Sequence, residues 1–198
     1  MSEHALTIDP TRTALLLLDF QVGTVSRIDE SDALMTRVND VIAVSRNAGV
    51  QVAFVRMAFE DSDIEAIPAH TKLAAIMLQA GKSYGVDSPV TAFDERALPR
   101  ADDIVVRKTR VGAFSSTDLD QQLRNRGVDT IVVAGLVTSA AVLSSVIDAF
   151  DRDYGIYVIA DTCADHEIAH HDYLVEKVLP RFSTLMRSSE YASLIRNC

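Results

Sequence analysis

Short hydrophobic runs alternate along the chain with longer stretches of helical spacing. Thr13 to Leu18 is apolar at consecutive positions, the pattern of a strand covered on both faces. Asp32 to Ala48 places Leu34, Val38, Val41, Ile42 and Val44 on one helical stripe, and Gly49 supplies the stop. Gln51 to Met57 is the second predicted strand, Thr71 to Gln79 a helix, and Val86 to Arg100, with Pro89 and Pro99, a loop that crosses the domain. Ile104 to Arg107 is the third strand. Ser116 or Thr117 caps a helix reaching Arg126, with Asp118 and Asp120 complementing its positive end and Gly127 ending it. Thr130 to Ala134 and Ile156 to Ala160 are strands four and five, separated by a helix from Ser139 to Arg152. A helix over Ala169 to Leu179, a short strand over Ser183 to Met186 and a final helical turn or two over Glu190 to Arg196 complete the pattern.

Strands alternating with helices predict an α/β, three-layer α/β/α Rossmann-like fold on a mostly parallel six-stranded sheet, because parallel neighbours need right-handed crossovers. The order 3-2-1-4-5-6 puts the switch point between strands one and four, whose ends carry Asp19 and Gly135. No repeat, low-complexity stretch or linker interrupts the 198 residues, so positions 1–198 read as a single domain with room for one sizeable core.

A formal charge of −9 argues against a phosphate-backbone partner. The dense basic group Arg107, Lys108 and Arg110 suits one small anion better than a polymer. Met1 to Pro10 lacks the basic and apolar regions of a signal peptide, and no apolar run approaches the ~20 residues of a membrane span. Cys163 and Cys198 do not form a disulfide framework. The expectation is a cytoplasmic protein that acts on a small molecule, without nucleic-acid or membrane partners and without a cofactor.

Three strand ends carry candidate chemistry. Asp19 follows four leucines, where burial raises a carboxyl pKa and a nearby cation lowers it. By itself it reads equally well as a loop or cap aspartate. Gln21 can orient that carboxylate or a substrate, or simply be a polar loop residue. Lys108 can hold an anion or steady developing negative charge, although alone it is also a plain solvated turn lysine. Gly135 to Ala141 is a strand-to-helix turn whose backbone N–H groups suit an anion or oxyanion. It lacks the Gly-x-Gly-x-x-Gly fingerprint and the glycines of a nucleophile elbow, so Ser139 reads as an N-cap rather than a nucleophile. A separate segment, His166-Glu167-Ile168-Ala169-His170, matches His-Glu-x-x-His. On a helix it would make a zinc hydrolase site with Glu167 as base, but no third ligand is evident nearby unless Glu176 or Glu190 serves; with Asp165 as N-cap it is instead a solvated, His-rich first turn.

Taken together, Leu-Leu-Asp19-Phe-Gln21, Arg107-Lys108-Thr109-Arg110 with Ala113-Phe114, and Val133-Ala-Gly135-Leu-Val-Thr138-Ser-Ala-Ala141-Val142-Leu143 resemble the isochorismatase-like (cysteine) hydrolase superfamily over nearly the whole chain. The resemblance implies catalytic roles for Asp19 and Lys108, a non-proline cis peptide near Val137-Thr138, and a dimer or tetramer. It puts the superfamily's cysteine nucleophile at Ala141, where a methyl group cannot form a thioester. Neither Cys163, after strand five, nor the terminal Cys198 is expected to replace it. Metal-binding members carry histidines after strand two, whereas Arg56 to Asp61 has none, so no metal is expected. True isochorismatases are similar in lacking the cysteine and hydrolyse a vinyl ether non-covalently. That implies Asp19 as acid, Lys108 as the group binding a substrate carboxylate, and backbone N–H groups at Ala140 and Ala141 facing substrate. Val111-Gly112 and Thr138-Ser139 depart from the isochorismatase pattern and lie nearer the hydrolase side. Phe20, Tyr84 and Phe114 are the expected pocket walls from their places beside the strand ends, although each also reads as a core aromatic, with Thr138, Ser139 and Ala140 lining the turn. The alternative is a catalytically impaired homologue serving as a ligand-binding or oligomeric scaffold.

Overall fold

The computed structural model describes residues 8–196; Met1 to Thr7, Asn197 and Cys198 lie outside the described residues. Six parallel strands, β1 (Thr13–Leu18), β2 (Gln51–Met57), β3 (Ile104–Lys108), β4 (Thr130–Leu136), β5 (Gly155–Ala164) and β6 (Thr184–Met186), form one sheet in the order β3-β2-β1-β4-β5-β6. β1 is central, and all six of its residues are buried. Its side chains alternate between two cores, as the pleat requires. Leu15 and Leu17 join Phe54, Val132 and Tyr191 on one face; Leu16 and Leu18 join Val55, Val133 and Val146 on the other.

The helices are α1 (Val22–Val25), α2 (Ser31–Asn47), α3 (Asp61–Glu65), α4 (Lys72–Ala80), α5 (Leu119–Asn125), α6 (Leu143–Phe150), α7 (Ile168–Tyr173) and α8 (Ser188–Arg196). The stripe expected on α2 is buried, and Gly49 follows the helix at φ 81°, a left-handed position that suits glycine. α2 and α8 cover the first core and are tied by the buried Ser45–Tyr191 hydroxyl pair at 2.7 Å. α5 and α6 cover the second core.

The short elements α1 and α3 have no periodicity to reveal them and were not anticipated, and the expected loop contains a 3-10 turn at Pro89–Thr91. Thr117 and Asp118 both serve the start of α5: Asp118 is the N-cap residue, and the Leu119 N–H donates to Thr117 Oγ1. The helix expected over Ser139 to Arg152 is a π-helical turn, Thr138–Val142, followed by α6. Likewise, Ala169 to Leu179 divides into α7 and a π-helical turn at Leu174–Val178. β5 is longer than its apolar run, with a register shift opposite Val133 to Gly135. Gly135 also marks a close approach: a Cβ there would lie 2.6 Å from Leu18 Cβ and 3.1 Å from Leu18 O. The ends of β1 and β4 are thereby held together. No helix among the described residues is long and apolar enough to cross a membrane.

Candidate active site

β1 delivers Asp19 to the carboxyl edge of the sheet. The Asp19 N–H donates to Val55 O at 2.9 Å, continuing the pairing with β2, but its φ of 55° turns the chain out of the strand. A non-glycine residue in this left-handed region is strained, and such residues concentrate at functional sites. Lys108 ends β3, two strands away and therefore about 10 Å across the sheet. Its long side chain closes that gap: Nζ lies 2.7 Å from Asp19 Oδ2 and donates to Val111 O at 2.5 Å. Lys108 is fully buried and the Asp19 side chain is only 12% exposed. The second carboxylate oxygen, Asp19 Oδ1, is buried without a hydrogen-bond partner. Burial raises the Asp19 pKa above its ordinary value, and the Lys108 ammonium opposes that rise without reversing it.

β4 delivers the turn. A cis peptide joins Leu136 to Val137, one bond earlier than expected, and Thr138–Val142 then winds as a π-helical turn. Val137 is the N-cap residue and no side chain caps the turn, so Ser139 is not the N-cap. Instead the Ser139 N–H donates to Asp165 Oδ2 at 2.7 Å, and the Ala140 N–H to Val137 O at 3.0 Å. Half of the expected oxyanion pair is therefore bonded within the turn. Thr138 is buried, its hydroxyl 2.9 Å from His171 Nδ1.

Asp19, Lys108, Gln21, Tyr84, Ala140 and Ala141 all line one cavity of 230 Å³. Six sequence-predicted residues thus meet, although Gln21 is not free to bind substrate. Its Nε2 donates to Met57 O and Thr91 O at 2.9 and 2.7 Å, and its Oε1 accepts from the Met57 N–H at 2.8 Å. Gln21 clamps the cavity wall. Four of the expected residues lie off this cavity. Phe20 packs in the core with Leu15 and Leu17. Phe114 packs in the opposite core, its ring 5.9 Å from that of Tyr154. Ser139 lines the neighbouring groove, and Thr138 is held by His171. Conversely, Arg27 and His166 line the cavity and were not anticipated there. Arg27 follows the aperiodic α1, so no local signal announced it. The sequence marks His166 only as a candidate zinc ligand.

The zinc arrangement requires both histidines on one helical face, and it does not form. α7 begins at Ile168, after an extended Glu167, so His166 precedes the helix. Asp165 does not cap α7, because Glu167 holds the N-cap position and Asp165 bonds the β4 turn. His170 sits 3.7 Å from Glu167, while His171 holds Thr138. Among the described residues no group of three or more His, Cys, Asp or Glu could hold a metal ion. Cys163 is buried in β5 opposite Gly135, and burial pushes its thiol pKa up to about 12.

This geometry can be set beside known proteins. An isochorismatase domain model matches residues 13–190. The chain belongs to the isochorismatase family. It is 30% identical to the uncharacterized isochorismatase family protein YwoC of Bacillus subtilis (strain 168), covering 98% of this chain and 99% of that one. Maleamate amidohydrolase of Pseudomonas putida is 25% identical over 81% of this chain and 76% of its own length. Among solved structures, a cysteine hydrolase from Pseudomonas syringae pv. phaseolicola superposes with a TM-score of 0.85 at 22% identity, covering 97% of this chain and 96% of that one. The six-stranded order with flanking helices is this family's α/β fold.

Proposed function

We propose that this isochorismatase-family protein hydrolyses a small carboxylated substrate without a covalent enzyme intermediate, an isochorismate-type vinyl ether being one candidate. The observation that carries the proposal is the buried Asp19–Lys108 pair, 2.7 Å apart in a cavity shared with the methyl group of Ala141. A methyl group cannot attack a carbonyl, and the buried Cys163 thiol has the high pKa of an inert structural cysteine. What the cavity offers is proton transfer.

Asp19 is suited to act as the acid because burial favours its neutral form. As it releases a proton, its carboxylate forms beside Lys108, which stabilises the new charge. With a vinyl ether, the proton goes from Asp19 to the terminal carbon and the ether oxygen shares the resulting cationic charge. Water then adds at the substituted carbon and returns one proton to Asp19. The hemiketal collapses with cleavage of its alkoxy C–O bond, releasing an alcohol and a ketone.

The test is a turnover screen of vinyl ethers, amides and esters with the full chain, followed by Asp19→Asn on the best substrate. The expected loss is about 10²–10⁴-fold, and the wild-type rate falls as pH rises through the Asp19 pKa. Full activity in Asp19→Asn overturns the assignment. Turnover of nothing in the screen favours the ligand-binding, catalytically impaired alternative.

A further inference from the structure

Resting on the reading of this cavity as a hydrolase site, we infer that Arg27, and not Lys108, recognises the negative charge of the substrate. Lys108 is already engaged: it is fully buried, lies 2.7 Å from Asp19 and donates to Val111 O. A substrate carboxylate placed on Lys108 would have to displace the Asp19 carboxyl group and reach a fully buried ammonium. Arg27 is different. It lines the same cavity, is exposed, and its guanidinium has no hydrogen-bond or ion-pair partner among the described residues. Its acidic sequence neighbours Asp29 and Glu30 line the adjoining groove rather than this cavity. His166 stands with Arg27 on the cavity lining and adds a donor there. An unpartnered guanidinium presents a planar fork of N–H groups that matches a carboxylate.

The cavity therefore offers two unsatisfied points. Asp19 Oδ1, buried and without a partner, takes a donor or protonatable group of the substrate. Arg27 takes the carboxylate. The volume of 230 Å³ is roughly eight times the share of one liquid water, about 30 Å³. It falls below the ~300 Å³ at which pockets for drug-sized ligands begin. The substrate class is thus a short-chain carboxylate with a hydrogen-bond donor or protonatable function at the far end.

The test measures binding by calorimetry to the full-length wild type, Arg27→Gln and Arg27→Lys. The probes are maleamate, 3-ureidoacrylate and a vinyl-ether carboxylate, each paired with its neutral methyl ester. At least one carboxylate is expected to bind the wild type better than its ester. Arg27→Gln should weaken that carboxylate by about 10- to 100-fold and leave ester affinity unchanged, with Arg27→Lys recovering part of the loss. Equal binding of acid and ester, no binder in the panel, or a carboxylate indifferent to Arg27→Gln each overturns the inference. Asp19→Asn, run in parallel, separates the two proposals. Its failure to reduce turnover removes the hydrolase mechanism while the Arg27 effect on binding stands, and the converse result removes Arg27 alone.

Discussion

Replacing Lys108 with Met isolates the energetics of the buried pair. An exposed pair would contribute only about 0–1 kcal/mol. Lys108 is fully buried, however, and the variant leaves Asp19 facing only its own burial. Such a carboxylate protonates instead of remaining charged, and that fixes a ceiling. Holding a neutral carboxyl at pH ~7 against an unfolded-state value near 3.8 costs about 1.4 kcal/mol per pH unit, or about 4 kcal/mol in all. Met keeps most of the apolar contact and removes the burial of an ammonium, so the net loss should be about 2–4 kcal/mol. For a chain of this length that corresponds to a Tm lowered by roughly 4–16 °C.

The pH dependence has a definite sign. A carboxyl raised by folding contributes stability that is fully present below its unfolded pKa and is lost as pH rises through its folded value. Removing Lys108 raises the folded value further. The deficit of the variant should therefore shrink, by at most about 1.4 kcal/mol per unit, as pH falls from ~7 towards ~5. The double variant Asp19→Asn/Lys108→Met, with neither charge, should return to within about 1 kcal/mol of wild type. Urea denaturation of wild type, Asp19→Asn, Lys108→Met and the double variant at both pH values is the assay. The reasoning is refuted if Lys108→Met is as stable as wild type at neutral pH, if its deficit ignores pH, or if the double variant is no better than the single.

Three other outcomes are expected. Ala141→Cys places a thiol in the cavity with Asp19 and Lys108, so it should gain hydrolysis of small amides and an acyl adduct visible by mass spectrometry, at about 1–3 kcal/mol of overpacking. The half-buried His171, held by Thr138, has a pKa lowered first by desolvation, against the attraction of Asp172 and Asp165. Stability should then fall as pH drops below about 6.5, the unfolded value, down to the folded one; His171→Asn should flatten that slope in urea midpoints. Ile147 and Phe150 on α6 are 37% and 50% exposed, and sedimentation should give a multiple of the 21.6 kDa chain mass. Phe150→Glu should shift that mass downward.

The sheet is legible in the chain alone. The all-apolar β1 run can be stable only when covered on both faces, and parallel strands with helical crossovers leave few topologies. Strand ends then carried Asp19, Lys108 and Ala141 to one edge, because sheet direction is a property of the backbone. Tertiary structure decided which residues remain available there. Phe20 and Phe114, adjacent to site residues in the chain, were drawn into the two cores by burial of their rings. Gln21 reached the cavity but its amide was taken by Met57 and Thr91, partners 36 and 70 positions away. The His-Glu-x-x-His segment carried its motif, yet the helix began two residues after His166 and separated its histidines. Arg27 lies just after a four-residue helix too short to show periodicity. Local pattern fixes where a backbone goes; whether a polar side chain ends free, paired or buried depends on distant residues that compete for it.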